Sequence, residues 1–307
     1  MHPAYSVIWF TTLSGAGYGL AALLGLGLVE VSGIQAFIAY GLAIGLIGVG
    51  LISSTFHLGH PERALRAFSQ WRSSWLSREG VLALITFVPL SVCAIAAVFY
   101  GLTLTPVGII AALLCICTVY ATSMIYASLR TIHHWYSWVT SACYLGFAAS
   151  SGYMLLAAIS PEFLQMRHAA NIAIGLLAIV WIVKGIWWHR ADTTASASTP
   201  ETALGLPSDS NPRRLELPHT GSNYLLAEMG HKVARKHVHK LRIIAIVFGF
   251  LLPVVCLFAA GQVDDTLAQA MAILAAASHY FGIVVERWLF FAEARHTVML
   301  YYGAEAA

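Results

Sequence analysis

The chain has 307 residues, 59% of them hydrophobic and only 10% charged, with a formal net charge of +3. A soluble domain carries about a quarter charged residues, because its outside must be polar however large its core is. This composition therefore excludes an ordinary soluble enzyme, gives no reason to invoke nucleic acid, and leaves the polytopic membrane class.

A bilayer core of about 30 Å needs about 20 mostly apolar residues per helical crossing. Eight segments meet that length: 5–29, 34–56, 80–101, 106–128, 135–159, 168–188, 241–261 and 266–290. The expected fold is all-α, a single-domain bundle of eight transmembrane helices. No basic region precedes the first apolar stretch and no small-residue cleavage site follows it, so it reads as a span rather than a signal peptide. Gly15, Gly17 and Gly19 within it suit close helix packing in lipid. Pro89 and Pro253 fall inside spans, where they would kink a helix rather than end it. Cys93, Cys115, Cys117, Cys143 and Cys256 all sit in apolar runs with no CxxC pair. They read as packing residues, and no iron–sulfur cluster is expected in this chain.

An even number of spans places both termini on one side. On that side fall Arg63, Arg66, Arg72, Arg78, Arg130, Lys184, the basic residues of the 189–240 loop (Arg190 among them), Arg242, Arg287 and Arg295. Of the 17 Lys and Arg residues, this leaves only Arg167 opposite, among Glu30, Glu162, Asp264 and Asp265. Basic loops stay in the cytoplasm, so both termini are expected there. The chain would then be a multi-pass protein of a bacterial cytoplasmic membrane. Within the long loop, residues 192–212 read as a flexible Ser/Thr/Ala/Pro linker. Residues 219–242, with Lys232, Arg235 and Lys236, read as a basic, partly amphipathic helix leading into span seven. Such a helix suits anionic lipid, a cytoplasmic partner subunit, or both.

The stretch 55–80, between spans two and three, carries the most chemistry. It brings His57, His60, Arg63, Arg66, Trp71, Arg72, Trp75, Ser77, Arg78 and Glu79 to one membrane face. A quinone takes up two electrons and two protons, so its carbonyl oxygens need protonatable donors at the interface. Histidine changes charge near neutral pH, and a carboxylate at an apolar boundary can relay a proton. An ordinary positive-inside loop would also hold arginines and interfacial tryptophans; the His57–Glu79 bracket favours the quinone reading. On the same face lie Tyr126, Arg130, His133, His134, Trp135 and Tyr136. Span eight carries His279 near its middle and then Glu286 beside Arg287. Glu286 and Arg287 are candidates for the site or a self-neutralising pair, and His279 reads as a core histidine satisfied by a neighbouring carbonyl. Arg66, Arg72, Arg130, His133 and His134 join the basic segment as candidate docking residues.

The order of motifs resembles the anchor subunit family of dimethyl sulfoxide reductase. The resemblance rests on His57-Leu58-Gly59-x-Pro61, Arg66-Ala67-Phe68, Leu76-Ser77-x-Glu79 and Trp135-Tyr136-Ser137, each at a matching place relative to the spans. It implies an eight-helix anchor without a metal centre, tethering an iron–sulfur subunit and a molybdopterin catalytic subunit. It also implies electron exchange with quinone, with His57 and Glu79 at the quinol site and Tyr126 a looser match. The charge bias and the segments 220–226 and 286–303 are similar to the branch whose partners oxidise sulfite in the cytoplasm. Four alternatives stay open: a quinol-oxidising anchor of a dimethyl sulfoxide reductase-like complex, a haem-b cytochrome, a transporter and a tether without quinone chemistry. Ubiquinone and menaquinone are not separated by the sequence.

Overall fold

In a computed structural model, the chain is described at residues 2–56, 60, 64–160, 163, 168–194, 196, 198–210, 212, 215–216, 221, 223, 228–229, 233–302 and 304. His57, Arg63 and Lys232 lie outside these residues, as do the side chains of Arg235 and Lys236. No strand occurs among the described residues. Among these residues, eight helices are long and apolar enough to cross a membrane. They are α1 (Tyr5–Gly25), α2 (Gly33–Thr55), α3 (Trp75–Tyr100), α4 (Thr105–Ala127), α5 (Trp138–Ile159) and α6 (Ala169–Thr193). α7 runs from Val233–Ile246 through a π-helical turn, Val247–Leu251, into Leu252–Ala260, and α8 is Asp265–Ala292.

Helix α1 is the axis of the bundle. It packs against α2, α4, α5 and α8, and 72% of its most apolar stretch is buried, more than in any other span. Small residues permit this. A Cβ on Gly19 would strike the carbonyl of Ala148, and one on Gly152 would strike the backbone of Gly19 and Leu20. Backbone-to-backbone approach of that kind gains dispersion contacts where lipid offers no hydrophobic drive between helices. Gly152→Val is therefore expected to separate α1 from α5, at a cost of about 1–3 kcal/mol or more for overpacking. A thermal unfolding scan of the detergent-solubilised protein reads this as a clear loss of midpoint. Outward faces carry Ile34, Val88, Phe99 and Phe258, all well exposed, as a lipid-facing surface requires.

The π turn in α7 has a local cause. Pro253 has no N–H to give to the carbonyl of Gly249, four residues earlier. That freed carbonyl accepts from Trp181 Nε1 at 3.0 Å and from His279 Nδ1 at 2.7 Å. Ser278 Oγ donates to the neighbouring carbonyl of Phe248 at 2.7 Å. Because Nδ1 of His279 donates, its Nε2 is the acceptor, at 3.1 Å from Ser150 Oγ. Both ring nitrogens are thus held by protein groups, and neither is free to ligate haem iron in this arrangement.

Three features differ from the expectations of the sequence. α3 begins at Trp75, not near residue 80, because Ser74 caps it by accepting from the Ser77 N–H at 3.4 Å. Glu79 consequently sits a full turn inside the helix. Lys184 and Arg287, which the charge count places among the topology-setting residues, are buried in the bundle at 0% and 2% exposure. They are intramembrane groups and inform the orientation less than loop residues do. Within the stretch expected as a linker, residues 200–204 form a short helix with a Thr199–Thr202 capping box.

Candidate functional site

The site lies at the end of the bundle where α3 and α5 begin and α4, α6 and α8 finish. Glu79, on α3, is 4% exposed and accepts a hydrogen bond from Thr122 Oγ1 of α4. Thr122 Oγ1 also lies 3.0 Å from the carbonyl of Thr118, and Thr118 Oγ1 lies 3.3 Å from Thr86 Oγ1 of α3. This threonine ladder joins α3 to α4 and aims one hydroxyl at the carboxylate. Ser77, nearer the helix start, is buried, and its hydroxyl has no protein partner among the described residues.

A second polar centre sits between α6 and α8. Lys184 Nζ is 2.6 Å from Glu286 Oε1, an ion pair whose angles do not make a directed hydrogen bond. Arg287 Nη1 is 3.6 Å from the other oxygen of Glu286. Lys184 Nζ lies 3.6 Å from the centroid of the Trp187 ring, and the Arg287 guanidinium carbon lies 3.8 Å from that of Tyr144. The aromatic faces partly replace the hydration both cations have lost. Two cations and one carboxylate make this a net positive cluster inside the bundle.

Tyr126 stands between the two centres, in an aromatic box. Its ring is 5.2 Å from Trp135, 5.7 Å from Tyr144, 5.6 Å from Phe290 and 5.4 Å from Phe291. Trp135 is fixed by donation from Nε1 to the carbonyl of Phe290 at 2.9 Å. Glu79, Ser77, Tyr126, Glu286 and Arg287 thus all enter the interior at this end of the bundle.

The remaining site candidates take other places. Trp71 and Arg72 are on the surface, and Arg78 holds their turn together. Its Nε donates to the Trp71 carbonyl at 2.9 Å and its Nη2 to the Arg72 carbonyl at 2.7 Å, while the guanidinium covers Trp75. Arg66, Arg72 and Arg130 are exposed and available to a partner. His60 is exposed at the same end. His133 and His134 are half-buried in the loop before α5, which Arg190 ties to α6 by donating to the Tyr136 carbonyl at 2.7 Å. Nδ1 of His134 donates to the Glu293 carbonyl at 3.1 Å. Burial, Arg295 and His133 push the His134 pKa down to about 4. It is neutral at physiological pH and contributes shape rather than charge to any docking surface. Arg242 closes the same face by bonding Asp192 at 2.5 and 3.0 Å and Glu293 at 2.7 and 3.2 Å.

Sequence reasoning missed Lys184, Thr122, Tyr18 and Tyr144. A signal existed for Lys184, a lone cation in the run IVWIVKGIWW. Thr122 gave none, because its link to Glu79 spans 43 positions. Among the described residues, no three His, Cys, Asp or Glu side chains converge as metal ligands would.

The sequence model of a family described as DMSO reductase anchor subunit (DmsC) matches residues 1–293. The chain belongs to that family. As a member it is a multi-pass membrane anchor, and the eight apolar helices are its membrane part. A curated relative, one of the subunits of the sulfite dehydrogenase of Allochromatium vinosum, is 31% identical over 333 aligned positions, which cover all of both chains. No solved structure matches.

Proposed function

We propose that this anchor is the quinone-reactive subunit of a molybdopterin/iron–sulfur complex that oxidises sulfite. In this role it takes electrons from an iron–sulfur partner and passes them to ubiquinone or menaquinone in the membrane. Each turnover puts two electrons and two protons on the quinone. The observation that carries the reading is a carboxylate, Glu79, enclosed within a membrane span and bonded there by the Thr122 hydroxyl. Such a group is costly in the membrane and marks proton chemistry there. Tyr126 and its aromatic neighbours pack into the interior at the same end of the bundle. His57 enters by the family resemblance, as the second proton-handling group.

The relative's name supports sulfite as the partner's substrate. The exposed Arg66, Arg72 and Arg130 mark the docking face for the iron–sulfur and catalytic subunits. The loop charge bias favours putting that face, both termini and the proton uptake in the bacterial cytoplasm. Affinity isolation of the tagged chain from native membranes, with mass spectrometry of what accompanies it, tests the assembly. The expected companions are a molybdopterin subunit and an iron–sulfur subunit. Recovery of the chain alone, or with bound haem, contradicts the reading.

A further inference from the structure

Quinone chemistry at Glu79 requires that each proton it gives up be replaced, yet the carboxylate is sealed from the surface. The bundle offers a place from which replacement can come. Between α1, α4, α5 and α8 lies a narrow crevice, partly open to the outside. Thr122, whose hydroxyl bonds Glu79, forms part of its wall. Three more wall groups are buried polar atoms with no hydrogen-bond partner among the described residues: the hydroxyls of Tyr18 and Tyr144, and Nη1 of Arg287. Buried donors are nearly always satisfied, by water where protein is lacking. Helix α1 keeps the space open at Gly15, where an added Cβ would meet nothing within 4 Å. Gly17 and Gly19, further along the same small-residue run, differ: a Cβ on either would strike backbone.

We propose that this crevice is a water site that reprotonates Glu79. Bound water there hydrogen-bonds Tyr18, Tyr144 and Arg287, and exchanges protons with the carboxylate through Thr122. The inference rests on the quinone reading above for its purpose, though not for its geometry. The step balances simply. After Glu79 gives a proton to the reduced quinone, one concerted step restores it: the Thr122 O–H bond breaks as its hydrogen passes to the Glu79 oxygen, while a crevice water gives a proton to Thr122 Oγ1. The hydroxide left in the crevice takes up a proton delivered from the aqueous phase and is water again. Electrons take no part in this route; they reach the quinone from the iron–sulfur partner. The narrowness of the crevice, with room for roughly one water at a time, suits water and not a quinone ring.

The test fills the crevice. In the purified complex, Gly15→Leu is compared with the wild type and with Gly45→Leu, a control at an exposed glycine of α2. Three quantities are read: quinone turnover, quinone affinity and the hydrogen–deuterium exchange rate of the protonated Glu79 carboxyl. The carboxyl stretch is followed in the infrared and assigned with Glu79→Gln. The expected result is turnover and exchange both slowed at least about tenfold by Gly15→Leu, with quinone affinity unchanged. Unchanged turnover and exchange overturn the proposal. Loss of quinone binding overturns it too, since the crevice would then be the ring site itself. Tyr18→Phe removes one unpartnered hydroxyl and no packing volume, and must slow exchange even if Gly15→Leu does not assemble. A wild-type complex that exchanges Glu79 through the crevice but reduces no quinone would sink the functional reading and leave the water site standing.

Discussion

Glu79→Gln slows quinone turnover at least about tenfold, a loss of about 1.4 kcal/mol of transition-state stabilisation, while the complex still assembles. The substitution keeps the shape and the hydrogen-bonding reach of the side chain, so Thr122 retains an acceptor. What it removes is the ability to gain and lose a proton. A loss confined to proton transfer lowers kcat and leaves quinone affinity nearly intact, and steady-state kinetics over a range of quinone concentrations separates the two. Equal kcat in wild type and variant would reduce Glu79 to a packing residue. Electron transfer from the substrate to a dye that accepts directly from the partner subunits stays normal, which shows that the defect lies in this chain.

Glu286→Gln is the more damaging change to stability, and Lys184→Met the milder one. Lys184, Glu286 and Arg287 are all nine-tenths or more buried, and Glu286 is the carboxylate between the two cations. Removing its charge leaves two buried positive groups facing one another. Breaking a buried pair in that way costs about 3–5 kcal/mol, because the stranded charge keeps its desolvation penalty. Replacing Lys184 leaves Glu286 with Arg287, a neutral pair that still has the Tyr144 face over the guanidinium. The order of unfolding temperatures, from highest to lowest, is therefore wild type, Lys184→Met, Glu286→Gln. The reverse order of the two variants would mean that Lys184 is the group the cluster depends on.

The eight crossings were legible because a run of about 20 apolar residues has one physical meaning in a membrane protein. What hydropathy could not reveal was decided by single atoms. Ser74 caps α3 and starts the helix early at Trp75, inside the stretch that hydropathy assigns to the loop between spans two and three. Lys184 falls in with the loop charges on a simple count. Yet Val180 and Trp188, four residues to either side, are core residues, and it pairs with Glu286 within the bundle. Pro253 and His279 each stand out separately in the sequence. Their connection through the freed Gly249 carbonyl is a tertiary fact with no sequence period. Glu79, Tyr126, Glu286 and Arg287 stand out as ionisable or aromatic residues near span ends. That they enter one interior depends on helix rotation, which a sequence sets only through packing. The small residues that govern it, Gly19 and Gly152, meet across two helices far apart in the chain.

Sulfite-driven quinone reduction by the purified complex, with and without this chain, tests the central claim most directly. The complete complex is expected to reduce a soluble quinone analogue, while the partners without the anchor oxidise sulfite with a dye but leave quinone untouched. Quinone reduction that continues undiminished without the anchor would show that the quinone site belongs to another subunit.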